Sequence, residues 1–294
     1  MPSSSDHPRL IRAAAFASVA TAGVLVAVKI GAWFVTGAVS VLASLIDSLM
    51  DILASGINLI AIHYALTPAD EDHRFGHGKA ESLAGLGQAT FVAGSAVFLI
   101  LHAVDRLIHP AAIERIDVGL YVMIFATVAT AALITFQRYV VRRTESIAIR
   151  ADALHYVSDL LTNLSIIAAL LLARAGWPGL DPIFGILIAL FILWSAWRIG
   201  AESIDALMDR ELPPAVRDQI RRIALRHDDV DGVHEMRTRQ SGRLYIIQLH
   251  LELDGDLTLE RAHGIADEVE ASIRETFPHS DIIIHQDPGR DLPH

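Results

Sequence analysis

Residues 39–66 read VSVLASLIDSLMDILASGINLIAIHYAL, an apolar stretch that carries two aspartates, Asp47 and Asp51, four positions apart. The stretch is long enough to cross a bilayer as one helix, which takes about 20 residues. In that helix the two carboxylates share one face, about one turn apart. Because a charged carboxylate at mid-membrane costs at least about 2.5 kcal/mol, this face indicates a site that a cation visits.

A second apolar stretch, at about 146–175, repeats this spacing with His155 and Asp159. If the two helix faces meet, Asp47, Asp51, His155 and Asp159 form a four-point cage. Three carboxylates and one imidazole suit a tetrahedral divalent ion such as zinc, with cadmium, ferrous iron, cobalt and manganese open as alternatives. Interhelical hydrogen bonding is the structural alternative for these residues. Nearby Asp152 follows Arg150, and the simplest interpretation pairs the two.

Six apolar stretches in all are long enough to span a membrane. Hydrophobic residues make up 52% of the 294-residue chain, as expected for a polytopic membrane protein. The formal net charge of -10 provides no basic footprint for nucleic acid, and the lack of cysteine excludes disulfides and thiolate metal sites. We therefore predict six transmembrane helices, at about 12–36, 39–66, 80–108, 117–141, 146–175 and 179–200.

The short loops predict the orientation of this bundle, because cytoplasmic loops carry an excess of Lys and Arg. The first stretch shows no evident cleavage site and is interpreted as a retained span. Both termini should therefore be cytoplasmic. The predicted cytoplasmic side holds Arg9, Arg12, Arg74, Lys79, Arg138, Arg142, Arg143 and Arg150, whereas the other side holds Arg106, Arg115 and Arg174.

The composition turns soluble and charged after the sixth span, at Asp209-Arg210-Glu211-Leu212-Pro213-Pro214. This change predicts a transmembrane domain at 1–212 and a second domain at 213–294. Within the second domain the patterns favour a helix at 214–228, strands at 231–240 and 244–253, a helix at 258–277 and a strand at 281–285. This order predicts a small α+β sandwich with helices on one face of a sheet.

Two further groups of residues have the composition of metal sites. The loop between the second and third spans contains Asp70, His73 and His77, with glycines that let the backbone fold around an ion, although acidic loops are often merely solvated. The second domain carries four histidines on separate predicted elements, together with a carboxylate that could bridge two zinc ions. This set comprises His234, His250, His263, His285 and Asp287.

These motifs occur together in one family. The two pairs in the second and fifth spans, the loop Phe75-Gly76-His77-Gly78-Lys79-Ala80-Glu81 and the terminal Ile284-His285-Gln286-Asp287-Pro288 resemble the cation diffusion facilitators, in particular their bacterial zinc and ferrous-iron efflux branch. The likeness extends from about residue 10 to 288. It implies a homodimer in the bacterial inner membrane, with six spans and a ferredoxin-like cytoplasmic domain, that exports divalent metal in exchange for protons.

The resemblance also implies roles for individual residues. The tetrad matches the transport site, and the other two groups match a loop site and a binuclear cytoplasmic site, with Gln286 as a possible helper. Lys79 and Asp209 match a charged pair at the hinge of the dimer, and Leu154 matches an apolar gate. A membrane metal sensor and a passive cation channel remain the alternative functions. We expect no enzyme, because the His-Glu-x-x-His signature of metal hydrolases is absent: Thr238 stands where its second histidine would be.

Overall fold

The computed structural model describes the backbone of residues 6–36, 39–108, 117–174 and 181–289, and the side chains of 7–35, 45, 48–105, 107–108, 124–164 and 182–289. The chain divides into two compact units. One comprises Met1–Thr67 and Ala80–Ile204, and the other comprises Pro68–Lys79 and Asp205–His294. The loop between the second and third helices therefore belongs to the same unit as the C-terminal part of the chain.

Long helices build the first unit. Each has 27 to 31 residues. At about 1.5 Å per residue, such a helix exceeds the roughly 30 Å of a bilayer core. In the described residues, five helices are long and apolar enough to span a membrane, and α5 is a sixth long helix. They are α1 (Asp6–Thr36), α2 (Val39–Ala65), α3 (Lys79–Ile108), α4 (Asp117–Thr144), α5 (Ile147–Arg174) and α6 (Asp181–Leu207).

Small side chains allow these helices to pack closely. The helix α1 packs against α2 and α4, and α4 packs against α5. The helices α3, α5 and α6 share a buried cluster that contains Ala89, Ala96, Ala151, Leu154 and Ala196. Small side chains let the helix backbones approach each other closely. Transmembrane helices gain van der Waals packing energy in this way, because no hydrophobic effect drives them together within the lipid.

The C-terminal part of the chain forms a three-stranded sheet with helices packed on its core. Its elements are α7 (Pro214–Ala224), β1 (Gly232–Ser241), β2 (Leu244–Leu253), α8 (Leu259–Thr276) and β3 (Ser280–Pro288). The strand order is β1-β2-β3, with β1 antiparallel and β3 parallel to β2. The predicted αββαβ order and the fold class are thereby confirmed. The domain boundary near residue 212 stays a prediction.

The sheet buries one face and exposes the other. Ile247, Leu249 and Leu251 of β2 are almost wholly buried with Ile265 and Ile273 of α8. Alternate residues of a strand face opposite sides, so the intervening positions of β2 and β3 lie on the uncovered face. That face carries three of the four histidines predicted to bind metal, namely His234, His250 and His285.

The loop Pro68–Lys79 lies against the turn between β1 and β2. A side chain at Gly78 would place its Cβ 2.6 Å from the backbone nitrogen of Gly242, closer than non-bonded atoms approach. Gly242 itself has a φ of 58°, a left-handed conformation that glycine adopts without steric cost. Both glycines are therefore required where this loop meets the turn that the sequence predicts at Ser241 and Gly242.

Candidate metal sites

The first candidate site joins α2 to α5 inside the membrane-spanning unit. Nε2 of His155 lies 3.0 Å from Oδ1 of Asp51 and 3.8 Å from Oδ2 of Asp159. The three ligand atoms all lie within 4.8 Å of one another. A tetrahedral zinc ion, with ligands at about 2.0 to 2.2 Å, would separate them by roughly 3.4 Å, so a small adjustment would accommodate the ion. The side chain of Asp47, the fourth predicted ligand, lies outside the described residues.

The helical spacing explains how this site forms. His155 and Asp159 are one turn apart on α5 and point to the same face. His155 is 4% exposed and packs edge-on against the ring of Phe91, with the ring centroids 5.6 Å apart. This packing fixes the imidazole, whereas the side chain of Asp159 remains 40% exposed. The site thus combines one rigid donor with a more accessible carboxylate.

A cavity of about 620 Å³ contains this site. Its lining includes Asp51, His155 and Asp159, together with Lys29 of α1 and His102 of α3. Lys29 and His102 lie in the last thirds of their helices, at the end of the bundle opposite the α2–α3 loop. The cavity therefore extends from the candidate ligands toward that end.

Lys29 is a residue that our sequence interpretation missed. Its ammonium group donates a hydrogen bond to Oγ of Ser48, with 2.6 Å between the atoms. Ser48 neighbours the candidate ligands on α2, so a fixed positive charge lies in the cavity of a cation site. A lysine inside an apolar run is the signal that would have identified it, because intramembrane charges are rare and usually functional.

Asp152 has a different environment from the one predicted. Its carboxylate is wholly buried and accepts hydrogen bonds from Ser18 at 2.5 Å, Gln137 at 2.8 Å, Gln88 at 3.4 Å and Ser55 at 3.5 Å. These donors come from α1, α4, α3 and α2, so one carboxylate on α5 connects five helices.

The predicted pairing of Asp152 with Arg150 is therefore wrong. Arg150 instead forms an ion pair with Glu202 of α6. The physical reason is the helical repeat, which turns residues two positions apart on α5 toward different neighbours. Consequently, Asp152 faces the polar interior of the bundle and Arg150 faces α6.

Leu154 immediately precedes His155 and lies in the buried cluster of α3, α5 and α6. Its role as a gate stays a prediction.

The loop brings its three predicted ligands together. Oδ1 of Asp70 lies 3.3 Å from Nδ1 of His73, and Oδ2 lies 3.3 Å from Nε2 of His77. The backbone N–H of His73 donates to the Asp70 carboxylate at 2.6 Å, and this bond, helped by the two histidines and opposed by partial desolvation, lowers the pKa of Asp70. Gly76, with a φ of 76°, reverses the chain between the histidines. The loop therefore presents an ionised carboxylate between two imidazoles.

Strand register explains how the histidines of the C-terminal domain meet. His234 on β1 pairs with His250 on β2, and His250 pairs with His285 on β3. The three residues therefore form one row across the sheet, with ring centroids 5.2 Å and 4.6 Å apart. A sheet places such cross-strand neighbours on one face at contact distance.

Asp287 lies two residues beyond His285 and faces this row. Its Oδ2 atom is 3.2 Å from Nε2 of His234 and 2.7 Å from Nδ1 of His250, whereas Oδ1 is 3.1 Å from Nε2 of His285. The hydrogen bond from His250 is the main cause of a lowered pKa of Asp287, and the charges of all three histidines act in the same direction against desolvation. Its two oxygens thus face different histidines, the arrangement of a carboxylate that bridges two ions.

Two predicted members of this group lie elsewhere. His263 is exposed on α8, and its nearest carboxylate is Asp267, 3.6 Å away on the same helix. Gln286 alternates to the face of the sheet opposite His285 and Asp287. Sequence interpretation had not included Glu235 and Glu252, whose carboxylates lie 3.9 Å from His250 and 3.6 Å from His234.

Lys79 and Asp209 form the charge pair that the resemblance implies. Nζ of Lys79 lies 2.8 Å from Oδ1 of Asp209, and Nη1 of Arg239 lies 3.1 Å from Oδ2. Although burial alone would raise the pKa of Asp209, the hydrogen bonds from these two cations lower it. The guanidinium of Arg239 also lies 5.1 Å from the ring centroid of Phe75. A function of this pair at a dimer hinge stays a prediction.

Known proteins match both the helical bundle and the small sheet domain of this chain. The model of the cation efflux transmembrane domain matches residues 15–208, and that of the cation efflux cytoplasmic domain matches 212–289. The cation-efflux pumps named FieF of Klebsiella pneumoniae subsp. pneumoniae and of Salmonella newport are each 49% identical to this chain, over 288 and 287 residues. Each alignment covers 98% of this chain and 96% of the relative.

Solved structures match the C-terminal part. The zinc form of CzrB aligns at 30% identity and a TM-score of 0.27, covering 29% of this chain and 99% of that chain. A nickel form of the MamM C-terminal domain aligns at 24% identity and a TM-score of 0.26, covering 26% of this chain and 100% of that one.

These findings define the class first: the chain is a membrane transporter that moves metal cations out of a compartment. More particularly, it belongs to the cation efflux family, the cation diffusion facilitators, and is FieF-like. The resemblance drawn from the motifs is thereby confirmed. The family consists of transporters and not of enzymes.

Proposed function

We propose that this protein exports zinc, and also cadmium, ferrous iron, cobalt or manganese, from the bacterial cytoplasm in exchange for protons. The observation that carries the proposal is the position of Asp51, His155 and Asp159 within hydrogen-bonding reach of one another at a cavity inside the bundle. Carboxylate and imidazole donors bind all of these divalent ions, and geometry and availability determine which one is carried.

His155 supports proton exchange on chemical grounds. Its Nε2 atom can hold a proton, which it shares with Asp51, or donate its lone pair to a metal ion, but it cannot do both. A proton and a metal ion therefore compete for this nitrogen atom. Release of metal on one side of the membrane and release of a proton on the other side are thereby linked at Nε2 of His155.

Alternating access is the proposed mechanism. The cavity opens the site toward the end of the bundle opposite the α2–α3 loop, and the positive charge of the loops supports a periplasmic position for that end. A second arrangement of the same helices would open the site to the cytoplasm. We assign both termini to the cytoplasm and the protein to the inner membrane.

The cytoplasmic domain supports regulation by metal in a homodimer. The histidine row with Asp287 has donors for zinc, and Asp287 presents one oxygen to each side of the row. Metal that binds one state of the domain more tightly would shift the population of the transporter toward that state. The matched cytoplasmic domain model supports a dimer of identical chains.

Transport in proteoliposomes tests the proposal. Zinc, cadmium, ferrous iron, cobalt and manganese would be offered with and without a pH gradient, while a dye records the lumenal pH. We expect metal flux with opposite proton movement, abolished in Asp51→Ala and His155→Ala and retained in His63→Ala, an exposed histidine on α2. Flux without proton movement would indicate a passive channel, and metal binding without flux would indicate a sensor.

A further inference from the structure

A second cavity, of about 460 Å³, lies between α4, α5 and α6. It is found at the end of the bundle where α4 ends at Thr144 and α5 begins at Ile147. Among the described residues that line it, four are arginines, Glu202 is the one carboxylate, and most of the others are apolar. The arginines are Arg138 and Arg142 of α4, Arg150 of α5 and Arg198 of α6.

These guanidinium groups retain unused hydrogen-bonding capacity. Arg150 pairs with Glu202 through one nitrogen, while its buried Nε atom has no hydrogen-bond partner among the described residues. Arg198 lies over the ring of Trp194, 5.1 Å from the centroid. In the same described part of the chain, no ion pair is found for Arg138 or Arg142. Four guanidinium groups and one carboxylate leave the cavity with an excess of positive charge, and the buried Nε atom of Arg150 has no acceptor among the described residues.

We propose that this cavity binds the phosphate of an anionic phospholipid headgroup. A guanidinium presents paired donors that match phosphate oxygens, and basic pockets between transmembrane helices bind anionic headgroups. The excess of positive charge would repel the divalent cation that the protein transports, which argues against a second metal route here.

The aromatic wall of the cavity favours a lipid over free phosphate. Phe191 and Trp194 line the cavity and remain about half exposed, and Trp197 on the next part of α6 is 75% exposed. This apolar surface continues from the cavity to the outside of the bundle, where acyl chains would lie. Tryptophan is enriched at the membrane interface, the depth of a lipid headgroup.

Lipid binding goes beyond the proposed metal transport and does not depend on it. If the proposed orientation is correct, the site faces the cytoplasmic leaflet, whose anionic lipids attract basic side chains. Because the site is on α4, α5 and α6 next to Leu154 and Arg150, a bound lipid would stabilise one arrangement of these helices.

Native mass spectrometry of the full-length, metal-free protein tests the site. Phosphatidylglycerol and phosphatidylcholine with the same acyl chains would be titrated against the parent protein, the double variant Arg138→Gln/Arg142→Gln and the control Arg143→Gln. Arg143 has the same charge and helix, but its guanidinium lies over Tyr139 and does not line the cavity. We expect the double variant to bind phosphatidylglycerol roughly 25-fold more weakly, about fivefold for each arginine. Phosphatidylcholine binding should not change.

Two further arms identify the ligand. Trp194→Ala keeps every charge, so it should weaken phosphatidylglycerol binding and leave competition by inorganic phosphate unchanged. Equal phosphatidylglycerol binding by the parent and a double variant with unaltered melting temperature would overturn the proposal. It would also be overturned if inorganic phosphate bound as tightly as the lipid, which would make this a site for the free ion. None of these measurements involves metal transport. A negative result would therefore contradict the lipid site without contradicting the proposed transport function.

Discussion

Oδ1 of Asp51 lies 3.0 Å from Nε2 of His155, and this contact joins α2 to α5 across the candidate transport site. A substitution that keeps the shape of the Asp51 side chain should impair metal binding without disturbing the packing of the helices. We predict that Asp51→Asn lowers zinc transport more than about tenfold, because even changes to groups that only hold a ligand cost about 10- to 100-fold in metal affinity. Zinc uptake into proteoliposomes measures the effect. Asp205→Asn, an exposed carboxylate near the end of α6, is the matched control, and equal rates in the two variants would contradict the assignment.

The buried network of Asp152 predicts a stability effect. Asp152→Leu removes the buried acceptor shared by Ser18 and Gln137, so one N–H of Gln137 loses its partner and the Ser18 hydroxyl keeps only the carbonyl of Ala14. A buried donor without a partner costs about 1 to 3 kcal/mol, so the melting temperature in detergent should fall clearly. The ion pair of Asp205 with Arg210 is exposed, and Asp205→Ala should hardly alter the melting temperature. Unchanged unfolding of Asp152→Leu would show that the network adds no stability.

Acid should reveal the contribution of Asp287 to the cytoplasmic domain. Its folded pKa is below the ordinary value of 3.8, so its interactions with the histidine row stabilise the domain above that pH. The contribution is lost as pH falls through the lowered folded pKa. We predict that metal-free parent protein is more stable than Asp287→Asn at pH 5, and that the difference shrinks below about pH 3.8. Denaturant unfolding at several pH values measures this; a difference that grew toward low pH would contradict the charge pairing.

Close contact of Gly78 with Gly242 predicts that the loop tolerates no side chain there. In Gly78→Ala the new Cβ would meet backbone atoms, which cannot rotate aside, so the loop must leave the β1–β2 turn. We expect amide hydrogen exchange in residues 68–79 to rise at least about tenfold, since the loop would lose its packing partner. Gly264→Ala on α8 meets nothing within 4 Å and should stabilise its helix by about 0.5 to 1 kcal/mol. Unchanged exchange in Gly78→Ala would contradict the packing.

The membrane-spanning helices could be predicted from the sequence because each span is a continuous stretch of apolar residues. Hydropathy identified the long helices, and the spacing of His155 and Asp159 placed both on one face of α5. The environment of Asp152 was not accessible, because Ser18, Gln88 and Gln137 reach it only through the relative rotation of separate helices. Asp47 is predicted to join the site, and its side chain lies outside the described residues.

In the C-terminal domain the elements were predictable but their register was not. Alternation located the strands and predicted helices against one face. That His234, His250 and His285 form a single row depends on pairing between distant residues, and a shift of one residue would have moved a histidine to the buried face. His263 illustrates the limit: its helix was predicted correctly, yet it lies away from the row.

The loop Pro68–Lys79 belongs to the same compact unit as Asp205–His294, although more than half of the bundle separates them in sequence. The unit is consequently assembled from two pieces of chain, so a single cut near residue 205 would not release it intact. A chimera between relatives that exchanged only the C-terminal piece would combine a foreign β1–β2 turn with a native loop. Grafting this unit from one exporter onto another therefore requires transplanting both pieces together.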